Sequence, residues 1–168
     1  AGEFVADIDN CDRILGNLAG TVRYFRYPLL HRGQDPEKRA VVGRWLSEHG
    51  YMVVPVTIDN DDYLYDTRYE EALDAGDDQA ARQIGREYVA HMLGQVDHFR
   101  AMAERKVGRE IPHILLVHMN RINASYLDEL LTHLENAGWR FISIEEALAD
   151  AVYELPDRYN GPKGVSWL

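Results

Sequence analysis

The chain has a single cysteine, Cys11, so no disulfide can form within it, and cysteine usage leaves the redox compartment open. Basic charge is scarce. Lys and Arg number 18 against 28 Asp and Glu, a net charge of −10, and no basic stripe is available to neutralise phosphates, which argues against non-specific nucleic-acid binding. No apolar run nears the roughly 20 residues of a membrane span, and none of the residues reads as a signal peptide. The glycines form no phosphate-binding loop of either usual spacing. A His-x-x-x-His pair is also absent. His91 and His98 are seven apart on a predicted helix, too far to share one ion. His113 and His118 are five apart on a predicted strand and so point to opposite faces.

What is present is ordinary for a globular domain: 168 residues, 46% of them apolar and 27% charged, enough chain to bury a core. Phe4, Ile8, Cys11, Leu15 and Leu18 recur at three- and four-residue spacing and predict a helix over 3–18, stopped by Gly20. Cys11 falls on that apolar face, which predicts a buried thiol. A strand is expected at Val22–Tyr27. Asp35-Pro36-Glu37 then opens a second helix, with Asp35 as N-cap and Pro36 at the first helical position. Its core face is Val42, Trp45, Leu46 and His49, and Gly50 closes it.

The β-branched run Tyr51–Ile58 predicts a buried parallel strand. A short helix at 66–75 breaks at Gly76. The spacing of Ile84, Tyr88, Met92, Val96, Phe99 and Met102 then marks a long amphipathic helix over 78–106. A strand at Ile114–Val117 leads to a helix carrying Leu127, Leu130, Leu131 and Leu134. A short strand at Trp139–Ile142 runs into Ser143-Ile144-Glu145-Glu146, a capping box. Strands alternating with helices predict βαβ units and a parallel sheet over 1–150. The remainder, 151–168, is an irregular tail. The chain opens on a helix with no strand before it, and such a helix normally crosses over from an earlier strand, so opening strands are expected to lie outside this sequence.

Three of the predicted strands end in groups that can do chemistry, and strand carboxyl ends are where α/β sheets build their sites. They are Arg26 near the end of Val22–Tyr27, Asp59 after Tyr51–Ile58, and His118 after Ile114–Val117. A single histidine at a strand end is ordinarily a satisfied structural residue. Beside a carboxylate it becomes a positioned acid or base, since the carboxylate accepts one imidazole N–H, fixes the tautomer and raises basicity at the other nitrogen. Asp59 is the expected partner. Arg26 is suited to holding a further carboxylate ionised, and Asp61 reads as a solvated turn acid.

Phe25-Arg26-Tyr27-Pro28, Asp59-x-x-Asp62-Tyr63 and Leu116-Val117-His118 resemble the third, fourth and fifth motifs of the polysaccharide deacetylases, the chitooligosaccharide-deacetylase homology family, in the family's order. The long insertion before His118 and the tail from Leu155-Pro156-Asp157 to Gly164-Val165-Ser166-Trp167-Leu168 resemble a bacterial subgroup of these enzymes.

The resemblance implies the C-terminal portion of a distorted (β/α) barrel. It also implies hydrolysis of N-acetyl, or sometimes O-acetyl, groups on an acetylated polysaccharide or oligosaccharide. A divalent metal, often zinc, polarises the acetyl carbonyl in that family. By carry-over His118 is the general acid, Asp59 its partner, and Arg26 orients the carboxylate of the base. The backbone N–H of Leu29 lies near the oxyanion, and Pro28, Leu29, Asp62, Tyr63, Leu116 and Asn120 line the substrate. Tyr63 and Leu29 replace the family's usual tryptophan and tyrosine. The paired-aspartate and His-x-x-x-His motifs that supply the base and the metal ligands are absent from the chain. It is therefore expected to hold the acid part of a site without the metal part, to be inactive alone, and to seek its N-terminal part or another copy of itself. The competing expectation is a non-catalytic carbohydrate-binding or interaction module. Export is common in the family, and the sequence itself assigns no compartment.

Overall fold

The computed structural model describes residues 1–19, 23–157 and 159–168. They form two compact units: one made of 1–55 with 155–167, the other of 56–154 with Leu168.

In the first unit, helix α1 spans Gly2–Ala19 and α2 spans Pro36–Glu48. The Asp35 side chain caps α2, accepting from the N–H groups of Glu37 and Lys38 at 2.9 and 3.1 Å. Strand β1 (Tyr24–Phe25) pairs in parallel with β2 (Met52–Val53). Ile8, Tyr27, Val42 and Leu46 form the core, with Phe4, Val5, Phe25, Trp45, Tyr51 and Val53 packed on it. A 3₁₀ turn at Pro28–Leu30 places Leu29 and Leu30 at φ 53° and 56°, left-handed values that cost an L-residue energy. The tail lies against this turn. Arg32 pairs with Asp157 at 2.8 Å, Arg39 donates to the Tyr159 carbonyl at 2.8 Å, and the Leu29 carbonyl sits where a Cβ on Gly164 would stand.

The second unit is built on three helices that pack on one another: α3 (Asp62–Asp74), α4 (Asp78–Val107) and α5 (Arg121–Asn136). The stripe Ile84, Tyr88, Met92 and Val96 of α4 is buried against Ile58, Tyr69, Ile122, Leu130 and Leu134. Short α6 (Ile144–Leu148) starts at the expected capping residue, Ser143, whose hydroxyl accepts from Glu146 N–H at 3.1 Å. Beneath the helices, Ile58 and Leu115 make a single parallel bridge. The N–H groups of Thr57 and Ile58 both reach the Ile114 carbonyl, and that of Leu116 reaches the Ile58 carbonyl, at 3.0–3.1 Å.

The expectation of a partial parallel (β/α) barrel is overturned. Helix, 3₁₀ turns included, accounts for 62% and strand, the Ile58–Leu115 bridge included, for 4% of the described residues, and their only two strands are two residues each. Pro55 is the physical reason for the shortened second strand. It has no N–H to give a ladder, and it divides Tyr51–Ile58 into Met52–Val53, paired with β1, and Ile58, bridged to Leu115. Trp139–Ile142 is not strand. The expected first strand survives as Tyr24–Phe25; its start, Val22, and the helix stop at Gly20 lie outside the described residues. Helix α3 begins four residues earlier than expected, at Asp62. Cys11 is exposed, because only the first part of α1, around Phe4, Val5 and Ile8, packs on a core. No helix among the described residues is long and apolar enough to cross a membrane.

Candidate functional site

The site grows from the turn between Ile58 and α3. Asn60 clamps it: its Nδ2 donates to the Leu116 carbonyl at 2.6 Å, and its Oδ1 accepts from the Asp62 N–H at 2.9 Å. This fixes segment 114–118 against the start of α3. Asp62 is the first residue of that helix, where the dipole favours negative charge. It extends the inward face formed by Tyr65, Tyr69 and Ala72, so its carboxylate points into the unit and is completely buried.

A buried carboxylate is tolerable only when its lone pairs are matched. Asp62 Oδ1 meets His118 Nδ1 at 2.6 Å. Its Oδ2 accepts from the His118 backbone N–H at 2.9 Å and from Asn123 Nδ2 at 2.7 Å. An ionised Asp62 accepting from the ring assigns the hydrogen to Nδ1 in neutral His118, so Nε2 carries the lone pair. The His118 side chain is 50% exposed while that of Asp62 is 0% exposed, so a fully buried carboxylate stands behind a half-exposed ring. The arrangement can deliver a proton from Nε2 or take one there, with the imidazolium stabilised by the carboxylate behind it.

Behind the pair, Asn123 Nδ2 also donates to the His118 carbonyl at 2.9 Å, and the buried Tyr88 hydroxyl donates to Asn123 Oδ1. Burial pushes the Tyr88 hydroxyl pKa well up, and the charge on Asp62 adds to it.

The expected partner of His118 was Asp59, and the structure corrects this to Asp62. Asp59 instead accepts the N–H of Asn60 at 2.9 Å. It is half-buried, and desolvation raises its carboxyl pKa, opposed by the Asn60 hydrogen bond and the charge of His118. Asp61 is exposed, as expected. Tyr63 is exposed at the start of α3, and Leu116 is buried with its backbone tied to Ile58 and Asn60. Asn120 caps α5, its Oδ1 accepting from Asn123 N–H at 3.0 Å, while its Nδ2 is buried without a partner. Arg26, Pro28 and Leu29 belong to the other compact unit. There Arg26 Nε faces the Val54 carbonyl at 3.5 Å, burial lowers the guanidinium pKa, and Leu29 is 91% exposed.

Two participants were not anticipated. Asn123 left a usable signal, the Asn120-x-x-Asn123 spacing at a helix start, where the first asparagine caps the second's N–H. Tyr88 left none, since it sits in the apolar stripe of α4 and reads as core. The divalent metal that the resemblance implies finds no ligand set: among the described residues no three His, Cys, Asp or Glu side chains are grouped to hold an ion. The Asp62 oxygens and His118 Nδ1 are already engaged in hydrogen bonds. Compared with protein-family models, curated proteins and solved structures, the chain matches none.

Proposed function

We propose that this chain supplies the acid part of a deacetylase-type site, with His118 as the acid that protonates the leaving amine of an N-acetylated sugar. The observation that carries the proposal is the half-exposed imidazole whose Nδ1 is held at 2.6 Å by a buried carboxylate, itself matched by two further donors. Once water has added to the acetyl carbonyl, its proton taken by a base outside these residues, the C–N bond breaks, acetate leaves and the amine nitrogen takes the proton from Nε2. The ring returns to the neutral form with its remaining hydrogen on Nδ1, donated to Asp62, and water can reprotonate Nε2. General acid catalysis by such a group contributes roughly 10²–10⁴-fold in rate.

The test is acetate release from N-acetylated chitooligosaccharides by the full-length polypeptide that carries this sequence. His118→Ala is expected to lower kcat by roughly 10²–10⁴-fold with little change in KM. Unchanged turnover in that variant overturns the assignment. Oligosaccharide binding with no acetate release in the wild-type protein assigns the chain to the non-catalytic carbohydrate-binding class instead.

A further inference from the structure

We infer that Asn123 and Tyr88 are positioning residues that set the orientation and proton affinity of His118, an inference that rests on reading His118 as an acid–base group. Asn123 spends its whole amide on this task. One Nδ2 hydrogen goes to Asp62 Oδ2 at 2.7 Å and the other to the His118 carbonyl at 2.9 Å. The oxygen takes the Tyr88 hydroxyl.

The alternative orientation of the amide is blocked. Turned over, Asn123 would set its oxygen against two acceptors, the Asp62 carboxylate and the His118 carbonyl, and its NH₂ against a hydroxyl that no longer has an acceptor. The two acceptors, Asp62 and the His118 carbonyl, therefore fix the orientation of the amide, and the Tyr88 hydroxyl completes it by donating to the oxygen. Asn123, Tyr88 and Asp62 are 5%, 0% and 0% exposed, so water offers them no substitute partners, and an unmatched group here is expensive. His118 is held at three points as a result: its N–H by Asp62, its carbonyl by Asn123, and its ring by Asp62. Three helices converge on one imidazole, with the carboxylate from α3, the hydroxyl from α4 and the amide from α5.

The network also sets proton affinity, with a definite sign. The donor from Asn123 draws negative charge off Asp62 and so competes with the imidazolium for it. Weakening that donor concentrates charge on the carboxylate and favours protonated His118. A flipped amide, with its oxygen near Asp62, acts in the same direction. The carboxylates Asp62 and Asp59 act on or beside His118, Asp61 acts on Asp59, and Tyr88 lies one residue removed; neither substitution below alters a carboxylate.

The test is a pH titration of the His118 ring by NMR, without substrate, in the wild type, Tyr88→Phe and Asn123→Ala. Tyr88→Phe keeps the buried ring and removes only the hydroxyl. We expect His118 proton affinity to rise roughly threefold in Tyr88→Phe and roughly tenfold in Asn123→Ala, from the loss of a charge-assisted donor on Asp62. A purely structural role would leave the titration in place in any folded variant, and an unmoved titration in both overturns the inference. If neither variant folds, the wild type decides it. Asn123 NH₂ hydrogens protected from solvent exchange support the network, and exchange as fast as that of exposed Asn136 overturns it. Because no substrate is present, failure to release acetate sinks the deacetylase proposal and leaves this result standing.

Discussion

Two glycines nine positions apart in α4 are expected to respond to the same substitution with opposite signs. At Gly94, exposed and with nothing within 4 Å of an added methyl, alanine recovers the helix propensity that glycine forgoes, about 0.8–1 kcal/mol. Gly85 is buried, and a methyl there overlaps the Tyr126 ring of α5. The ring can swing aside only by leaving its edge-to-face contact with Tyr69, where the centroids stand 5.8 Å apart at 80°. Overpacking of this kind costs roughly 1–3 kcal/mol, so after the propensity gain Gly85→Ala is expected to destabilise by about 1 kcal/mol and Gly94→Ala to stabilise by a similar amount. Native-state hydrogen exchange at the buried Met92 amide of α4 reads both. The background Tyr126→Leu supplies the control, since the shorter side chain makes room and Gly85→Ala should then stabilise as Gly94→Ala does. Equal stabilisation by both substitutions with Tyr126 intact would refute the packing of α5 on α4 described here.

His113 gives a pH dependence. Burial, helped by the charge of Arg100 and opposed by Glu110, lowers its pKa to about 4, against about 6.5 in an unfolded chain. Its contribution is therefore fully present above pH ~6.5 and is lost as the pH falls toward 4, because the unfolded chain takes up a proton that the folded one refuses. Discounted for partial exposure, this amounts to roughly 1–2 kcal/mol. Urea melts at pH 7 and pH 4.5 should show that much less acid destabilisation in His113→Gln, and parallel pH dependences would exclude the effect. At Leu29, φ 53° in a residue 91% exposed, Leu29→Asn relieves left-handed strain without uncovering a core, so the melting temperature should rise by the equivalent of about 0.5–1 kcal/mol; an unchanged or lower value contradicts the strain.

Much of the helical frame is legible in the sequence because its signals are local. Asp35-Pro36 starts α2, Ser143 starts α6, and the stripe from Ile84 to Val96 marks the buried face of α4. What local pattern does not carry is the presence of something to cover an apolar face. Cys11, Leu15 and Leu18 continue the spacing of Phe4 and Ile8, yet all three are exposed, since the first unit's core reaches only the start of α1. The strands fail for a related reason. A β-branched run reads as one strand, but pairing is decided residue by residue, and Pro55 ends the ladder that Met52 and Val53 begin.

His118 pairs with Asp62 rather than Asp59, for a reason that lies in how the chain turns. Taking residues just past a strand end as the site selects Asp59, one step beyond Ile58, as the partner of His118. The chain turns immediately after, and Asn60 uses both ends of its amide to close that turn. The next residue able to face inward is thus set by helix periodicity. Positions 62, 65, 69 and 72 form one face of α3, three or four residues apart, and the polar member of that face is Asp62. A carboxylate at the first turn of a helix, directed at the core, must bring its donors with it, and those come from α5 and the segment before it. The acid–base pair is therefore a product of helix packing, and substitutions that shift α4 or α5 should reach His118 through Tyr88 and Asn123 before they reach it through any strand.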